Sequence, residues 1–341
     1  MNVMASIRTF IDNLRGRFIK RTIFDARRLT LASVTVEYVA SALNQCQAGY
    51  MRQLADIYDM VPATDPHILG VRRQLRAGVQ GLETEPVAIS DDPKAKQMAD
   101  ACKIAMERPG ASWTQLPAGI LEGYLRGASL TEVMWDDPPI QVPGAPKALH
   151  YWNGFSIVPQ QRLRYSQETG ELLLIVDPAN PTAAQPINAF PPGKFVRCQV
   201  DEDIPDFSLR GTWRAVLSDW MGRMNVSRWE QFAIERYGMP IPVGKYATPD
   251  GQEALKAAME SFGAAGMLIV DQNSSIEWGS STTKELIHET YLEKSAERIS
   301  VALLGASQTA TIGKQAGSLA SARVHDGIRR DILFAIAELV A

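Results

Sequence analysis

TWRAVLSDWMGRMNVSRWEQFAIERY (residues 212–237) and KELIHETYLEKSAERISVALLG (residues 284–305) are the two stretches of sequence that decide the fold. In the first stretch apolar residues recur at three- and four-residue spacing, namely at Trp213, Val216, Leu217, Trp220, Met221 and Met224. The second stretch repeats this spacing through Leu292, Ala296, Ile299 and Leu303. Such spacing is the period of one face of an α-helix. The sequence therefore predicts two long helices that can lie side by side.

The residues between these two helices determine how the helix pair is interpreted. An ordinary antiparallel helix pair inside a globular core is one interpretation. The segment that links them is not predicted to be a simple loop. Its sequence predicts a strand over 239–246, a short helix over 253–262 and strands over 266–270 and 275–278. A β-α-β-β insert of this size buries little core by itself and needs neighbours. Two helices that carry such an insert at their far ends form a stalk with a tip, which suits a subunit of a ring or tube.

The part of the chain before the first long helix predicts a mixture of helices and strands. Helices are predicted from Asp65 onwards, over 93–106 and over 114–125, where Gly127 provides the stop. Strands are predicted over 155–158, 162–165, 172–176 and 195–200. Residues 177–193 are rich in Pro, Ala and Asn and predict an exposed loop. The fold class is therefore α+β.

Several short segments, in this order, resemble one known family. They are DPHI (65–68), VRRQLRAGV (71–79), GASLTEVMW (127–135), RWEQFAIERYGMP (228–240), LLG (303–305) and AGSLASARVH (316–325). Their order and approximate spacing, from about residue 34 to residue 331, resemble the portal proteins of Mu-like phages and prophages. Each segment is a short structural signature without obligatory chemistry, so the resemblance rests on the whole series.

The resemblance implies a portal-type protomer with named parts. These are a basic amphipathic arm over 1–30, a mixed α/β wing over 31–211, stem helices over 212–238 and 282–305, a clip over 239–281, a tunnel loop over 306–318, and the start of a helical crown or wing helix over 319–341. Portals of this family usually continue further, and the apolar run that includes Ile332 and Leu339 is cut within its pattern. We therefore expect a shortened C-terminal region.

The resemblance also implies partners and a location. A portal subunit forms a homo-oligomeric ring of twelve at a capsid vertex of the virion, after assembly in the cytoplasm of the bacterial host. The implied partners are the terminase large subunit, a head–tail adaptor protein, the major capsid protein and scaffold, and double-stranded DNA bound without sequence specificity. The net charge of −3 agrees with weak DNA contacts, because tight DNA binders depend on a basic surface.

Three groups of residues are the candidate functional sites. In the tunnel loop, a ring of polar and ammonium groups can touch phosphates without reading bases; its members are Gln308, Thr309, Thr311, Lys314, Gln315 and Ser318. The expected docking residues of the clip are Lys245, Tyr246, Glu253, Lys256, Asp271, Gln272, Glu277 and Trp278. The expected subunit interface comprises Trp213, Trp220, Trp229 and Tyr291, because three tryptophans exceed what one partner helix normally covers.

The search for enzyme chemistry finds no complete motif. Gly313-Lys314 lacks the first glycine and the hydroxyl residue of a phosphate-binding loop. The four histidines are isolated, and the three cysteines are widely spaced and odd in number, as in a reducing compartment. The acidic segment 201–206 can in principle hold a divalent cation, although a solvated turn is the simpler interpretation. We expect no enzyme, no cofactor and no metal.

Two alternatives to a portal remain open. One is a monomeric or small-oligomer helical adaptor that binds a protein partner through residues 239–281. The weaker one is a metal-dependent nucleic-acid enzyme that uses the acids of 201–206. Residues 1–30, with seven Lys or Arg against two Asp, suit a membrane surface, a presequence or an arm that packs on its own ring or on the capsid. No segment is apolar over the length of a membrane span, so we expect no membrane partner.

Overall fold

The protein is described here by a computed structural model, which covers residues 33–82, 84–107, 113–135, 150, 152–177, 179–180, 182–237, 243–261, 268–271, 287–306 and 319–339. The described chain divides into two compact units. The first unit contains the residues up to Leu217 and those from Glu297 onwards, and the second unit contains Ser218–Ala296. The helices and small sheets of the described chain confirm the predicted α+β class.

Helices come first along the chain. They are α1 (Val36–Gln47), α2 (Arg52–Thr64), α3 (Pro66–Gln80), α4 (Pro93–Glu107) and α5 (Gln115–Arg126). The helices predicted from Asp65, over 93–106 and over 114–125 correspond to α3, α4 and α5. The sequence analysis did not predict α1 and α2.

The start of α3 shows how closely local sequence sets a boundary. Asp65 has extended backbone geometry, and its Oδ1 accepts hydrogen bonds from the backbone N–H groups of His67 (2.8 Å) and Ile68 (3.1 Å). Pro66 follows at the first helical position, where its missing N–H costs nothing. The apolar residues at helical spacing, Ile68, Val71, Leu75 and Val79, are all buried. The helix predicted from Asp65 onwards is therefore present, and one apolar face of it is buried.

Six strands follow α5 and form two antiparallel sheets. The strands are β1 (Ala128–Trp135), β2 (Trp152–Ile157), β3 (Leu163–Tyr165), β4 (Leu172–Ile175), β5 (Ala184–Pro186) and β6 (Phe195–Gln199). One sheet has the order β2-β1-β6, with Glu132 opposite Ser156 on one side and Phe195 on the other. The other sheet has the order β3-β4-β5. The central strand β1 is buried along most of its length, and α5 packs against it.

The segment 177–193 is not the simple loop that its composition predicts. It contains β5, which pairs with β4 through Leu174 and Gln185, and a single turn of 3₁₀ helix over Ile187–Ala189. The pairing with β4 supplies the hydrogen bonds that the local sequence does not indicate. Pro186 ends the strand, in agreement with the preference of proline for sheet edges.

The first sheet contains a fully buried ion pair. The Nζ atom of Lys194 lies 3.1 Å from Oε1 of Glu132, and the two side chains are 0% and 1% exposed. Lys194 Nζ also donates to the carbonyl oxygen of Val133 at 3.3 Å, and the Val133 N–H donates to the Lys194 carbonyl at 2.8 Å. Buried charges are tolerated only when they are paired in this way. The pair therefore fastens the turn before β6 to the central strand β1.

The remaining elements complete the two units. They are α6 (Trp213–Tyr237), β7 (Val243–Tyr246), α7 (Pro249–Ser261), β8 (Leu268–Asp271), α8 (Ile287–Leu304) and α9 (Leu319–Glu338). The helices predicted over 212–237 and 284–305 correspond to α6 and α8, although residues 284–286 lie outside the described residues.

The last helix belongs to the body of the first unit. Leu333 and Ile336 of α9 are buried, and α9 contacts α3 and α5. Gly78 lies against Leu333, so closely that an added Cβ atom would stand 2.7 Å from its Cδ1. The assignment of residues 319–341 to the start of a crown or to a wing helix stays a prediction.

The cysteines behave as apolar core residues. None forms a disulfide, and Cys46 and Cys198 are buried. Burial raises the pKa of the Cys46 thiol to about 12 and that of Cys198 to about 11, with nearby acidic groups adding to the effect. Thiols with such pKa values hold little thiolate at neutral pH and are poor nucleophiles.

The basic arm predicted over residues 1–30 lies outside the described residues, and the partners suggested for it stay predictions. Among the residues that the structure describes, no helix has the length and apolar character that a membrane crossing requires.

Candidate functional site: the helix pair and its insert

The two long helices meet through a polar contact in the second unit. The guanidinium group of Arg223 on α6 donates to the carbonyl oxygen of Leu292 at 2.7 Å and to Ser295 Oγ at 3.1 Å, both on α8. Ser295 Oγ also donates to the Leu292 carbonyl at 3.0 Å, and the residue is fully buried. A hydrogen bond from a charged donor to a carbonyl oxygen is stronger than one between neutral groups. This contact fixes the two helices side by side and in one register.

A glycine lets the helices approach closely at the same level. An added Cβ atom at Gly222 of α6 would stand 1.9 Å from the hydroxyl oxygen of Tyr291 on α8. The Tyr291 side chain therefore occupies the space that any larger residue at position 222 would need. The tyrosine predicted as an interface residue thus contacts the partner helix of its own chain, and it is half-buried there.

The insert between the helices is a β-α-β unit. Strands β7 and β8 pair in parallel, with Val243 opposite Leu268 and Tyr246 opposite Asp271, and α7 connects them. Thr248 caps α7, because its Oγ1 accepts a hydrogen bond from the Gly251 N–H at 3.3 Å. The third predicted strand, over 275–278, lies outside the described residues.

The docking residues expected on the insert divide into three groups. Lys245, Glu253 and Lys256 are exposed, and Tyr246 is partly exposed. Asp271 ends β8. The other three, Gln272, Glu277 and Trp278, lie outside the described residues. Of the described members, Tyr246 and Asp271 lie opposite each other on the paired strands β7 and β8.

The tunnel-loop residues cannot be placed by the structure. Gln308, Thr309, Thr311, Lys314, Gln315 and Ser318 all fall between Ala306 and Leu319, outside the described residues. Their contact with DNA stays a prediction from the sequence and the family resemblance.

The predicted subunit interface needs a correction. Trp213 and Trp220 are 0% exposed within the single chain, so their faces are covered without a second subunit. Trp229 is 57% exposed and keeps the predicted character. The helical spacing shows that all three tryptophans lie on apolar faces, but it does not show which part of which chain covers them.

Beside Trp229 the structure reveals a residue that the interface prediction did not include. Phe232 follows three positions later on α6 and is 60% exposed. Residues three apart on a helix are surface neighbours, so the two rings extend one exposed apolar strip. The i, i+3 spacing was the available signal for Phe232.

Two carboxylates of the acidic segment 201–206 accept hydrogen bonds from nearby backbone N–H groups. Asp201 Oδ2 accepts a hydrogen bond from the Gly211 N–H at 3.0 Å, and Asp206 Oδ1 accepts from the Ser208 N–H at 2.8 Å. Within the described part of the chain, no group of three or more His, Cys, Asp or Glu residues is placed to hold a metal ion. The two carboxylates therefore cap backbone N–H groups close to them in the chain.

Comparison with known proteins gives one strong match. The family described as the portal protein of Mu bacteriophage matches residues 55–341. No curated protein matches the sequence.

Two solved structures are similar at low sequence identity. One is the neck of an empty GTA particle, with 14% identity, 75% of this chain and 70% of that chain covered, and a TM-score of 0.46. The other is an HK97 family phage portal protein from Corynebacterium diphtheriae, with 11% identity, 78% of this chain and 82% of that chain covered, and a TM-score of 0.38.

Proposed function

The chain belongs to the family of the Mu bacteriophage portal protein, and we propose from this premise that it is the subunit of a portal ring at a capsid vertex. In this role the ring is the head–tail connector, through which double-stranded DNA enters during packaging and leaves during ejection. The match over residues 55–341 is the observation that carries the proposal. Portal proteins form structural rings, so the proposed role is not enzymatic.

The composition of the second unit supports the assignment of separate stem and clip regions within the subunit. It contains the Arg223-linked helix pair and the β-α-β insert, which suit a stem that carries a clip. We assign the stem to α6 and α8 and the clip to residues 239–281. The exposed residues Lys245, Glu253 and Lys256 are then available to dock the terminase large subunit during packaging and an adaptor protein afterwards.

Neighbouring stems are proposed to meet at Trp229. A ring subunit must bury apolar surface against its neighbours, and the strip of Trp229 and Phe232 is exposed in the single chain. Large aromatic residues at interfaces commonly contribute about 2 kcal/mol or more each.

Replacing Trp229 by glutamate is expected to shift the protein from rings to small species, because the charge would be buried without a partner. The fraction of rings is measured by sedimentation velocity at fixed protein concentration. Trp229→Phe is the matched control, which keeps an aromatic ring and should assemble nearly as well. If Trp229→Glu forms rings as readily as Trp229→Phe, the assignment of this strip to the interface is wrong.

The tunnel loop is proposed to guide DNA through Lys314. A ring of ammonium groups on a glycine-containing loop can contact phosphates without sequence preference. The whole chain has a net charge of −3, which suits a channel through which DNA slides.

Replacing Lys314 by glutamate is expected to shorten the packaged DNA or to lower its retention, because each subunit then repels the phosphates. The measurement is the length of DNA protected inside filled particles. Lys314→Arg keeps the charge and serves as the control. Equal DNA lengths and equal retention in both variants would remove the loop from the proposed mechanism.

A further inference from the structure

A polar pocket opens in the first unit. It has a volume of about 260 Å³ and lies among α2, α3, α5 and the turn after β2. Three guanidinium groups line it, those of Arg72, Arg76 and Arg126, together with the carboxyl groups of Asp59 and Glu122. The charged groups of the lining therefore leave one positive charge in excess.

One of the three arginines is fully engaged. Arg126 donates through Nε to Glu122 Oε2 at 2.7 Å, through a terminal nitrogen to Asp59 Oδ1 at 2.5 Å, and through the other to Gln160 Oε1 at 3.5 Å. Glu122 also pairs with Arg72. Burial alone would raise the pKa of the Glu122 carboxyl, but the Arg126 and Arg72 guanidinium groups outweigh burial and lower it. The two carboxylates are thus committed to existing partners.

Arg72 and Arg76 each have hydrogen-bond donors that no described residue accepts from. The Nε atom of Arg72 is buried and has no hydrogen-bond partner in the described part of the chain. Arg76, one turn later on α3, also lines the pocket and forms no hydrogen bond or ion pair with described residues. Like charges four residues apart destabilise a helix, and α3 contains no acidic residue. An unpaired buried donor also costs free energy. An anion in the pocket would offset the repulsion between the two guanidinium groups.

We propose that this pocket binds a small oxyanion, either a phosphate or a carboxylate group, through Arg72 and Arg76. The planar fork of a guanidinium group matches the paired oxygens of both ligands. Two sources supply this chemistry: a free anion in solution, or a carboxylate side chain of a second copy of the chain. The free-anion case does not depend on the portal role, whereas the second-copy case rests on it.

The test compares Arg76→Gln with Arg73→Gln in the full chain. Arg73 lies on the same helix, is exposed and does not line the pocket, so both variants lose one positive charge and only one loses a pocket donor. The first readout is the melting temperature in sodium phosphate against sodium chloride at equal ionic strength. The comparison between variants removes the general stabilisation that phosphate gives to any protein. The second readout is the concentration at which each variant assembles.

Phosphate is added at about ten times its dissociation constant, and the rise in melting temperature is compared between the proteins. A free anion is supported if the rise is roughly 2 °C larger for the unmodified protein and for Arg73→Gln than for Arg76→Gln. A carboxylate from a second copy is supported if phosphate has no such effect and Arg76→Gln needs at least tenfold more protein to assemble than Arg73→Gln. If the two variants agree in both readouts, the oxyanion site is refuted. Should Arg76→Gln not fold, Arg76→Lys replaces it, because lysine keeps the charge and loses the fork; behaviour like that of Arg73→Gln then refutes the site.

Discussion

Replacing Gly211 by alanine is expected to lower the free energy of unfolding by about 3–4 kcal/mol. Gly211 has a φ angle of +80°, which L side chains rarely adopt, and an added Cβ atom would stand 2.2 Å from the backbone nitrogen of Gly127 and 2.5 Å from the carbonyl carbon of Arg126. These are backbone atoms at the end of α5, so no side chain can rotate away. The chain enters α6 at this crossing, and the substitution must displace it.

Gly170→Ala is the matched control for this prediction. Gly170 also has a positive φ angle, of +71°, but nothing lies within 4 Å of the added Cβ atom. It should therefore carry only the backbone penalty, about 1–2 kcal/mol. Chemical denaturation followed by circular dichroism measures both variants. Equal losses of stability for the two substitutions would mean that α5 and the start of α6 do not approach as closely as described.

Replacing Lys194 by methionine is expected to lower the free energy of unfolding by about 3–5 kcal/mol. The substitution keeps the length of the side chain but removes the ammonium group that lies 3.1 Å from the buried Glu132 carboxylate. The loss comes mainly from the stranded charge, because a buried carboxylate cannot recover its hydration. Equilibrium denaturation by urea at neutral pH provides the measurement.

A second substitution separates the charge from the packing. Combining Lys194→Met with Glu132→Leu removes both charges and should recover most of the lost stability, since buried pairs replaced by apolar residues are often neutral in their effect. The exposed pair of Lys103 and Glu85, at 3.5 Å, gives the comparison: Lys103→Met should cost less than about 1 kcal/mol. A double variant as unstable as Lys194→Met alone would show that the stranded charge is not the cause.

Local signals in the sequence predict much of the fold. The Asp65 cap, the Pro66 start and the spacing of the apolar residues identify α3, and Gly127, with a φ angle of +88°, stops α5 where the sequence predicts. These features depend on residues within one or two turns of each other. The interactions that form these features are therefore local, and a short stretch of sequence is enough to predict them.

Features that depend on contacts between residues far apart in the sequence could not be predicted from the sequence alone. Lys194 and Glu132 are far apart along the chain, and neither has a local signal that it is buried. The strand β5 exists because β4 provides a partner, and its own three residues, one of them proline, do not predict it. Long-range pairing decides both features, so the single sequence leaves them open.

The tryptophans of α6 show the same limit for the candidate site. Their spacing predicts an apolar face, and the structure confirms that Trp213 and Trp220 are buried. Whether an apolar face is covered within the chain or by a neighbour depends on tertiary packing. Trp213 and Trp220 are covered by their own chain, and the exposed strip of Trp229 and Phe232 is the one that we propose for a neighbour.

The measurement that tests the portal assignment most directly is the mass of the purified full chain in solution. Light scattering on a size-exclusion column gives the mass, and negative-stain images of the same peak show the shape. We predict a closed ring of many subunits with a central hole. A protein that stays monomeric over the whole accessible concentration range, and binds a protein partner through residues 239–281 in that form, would contradict the ring and support the adaptor alternative.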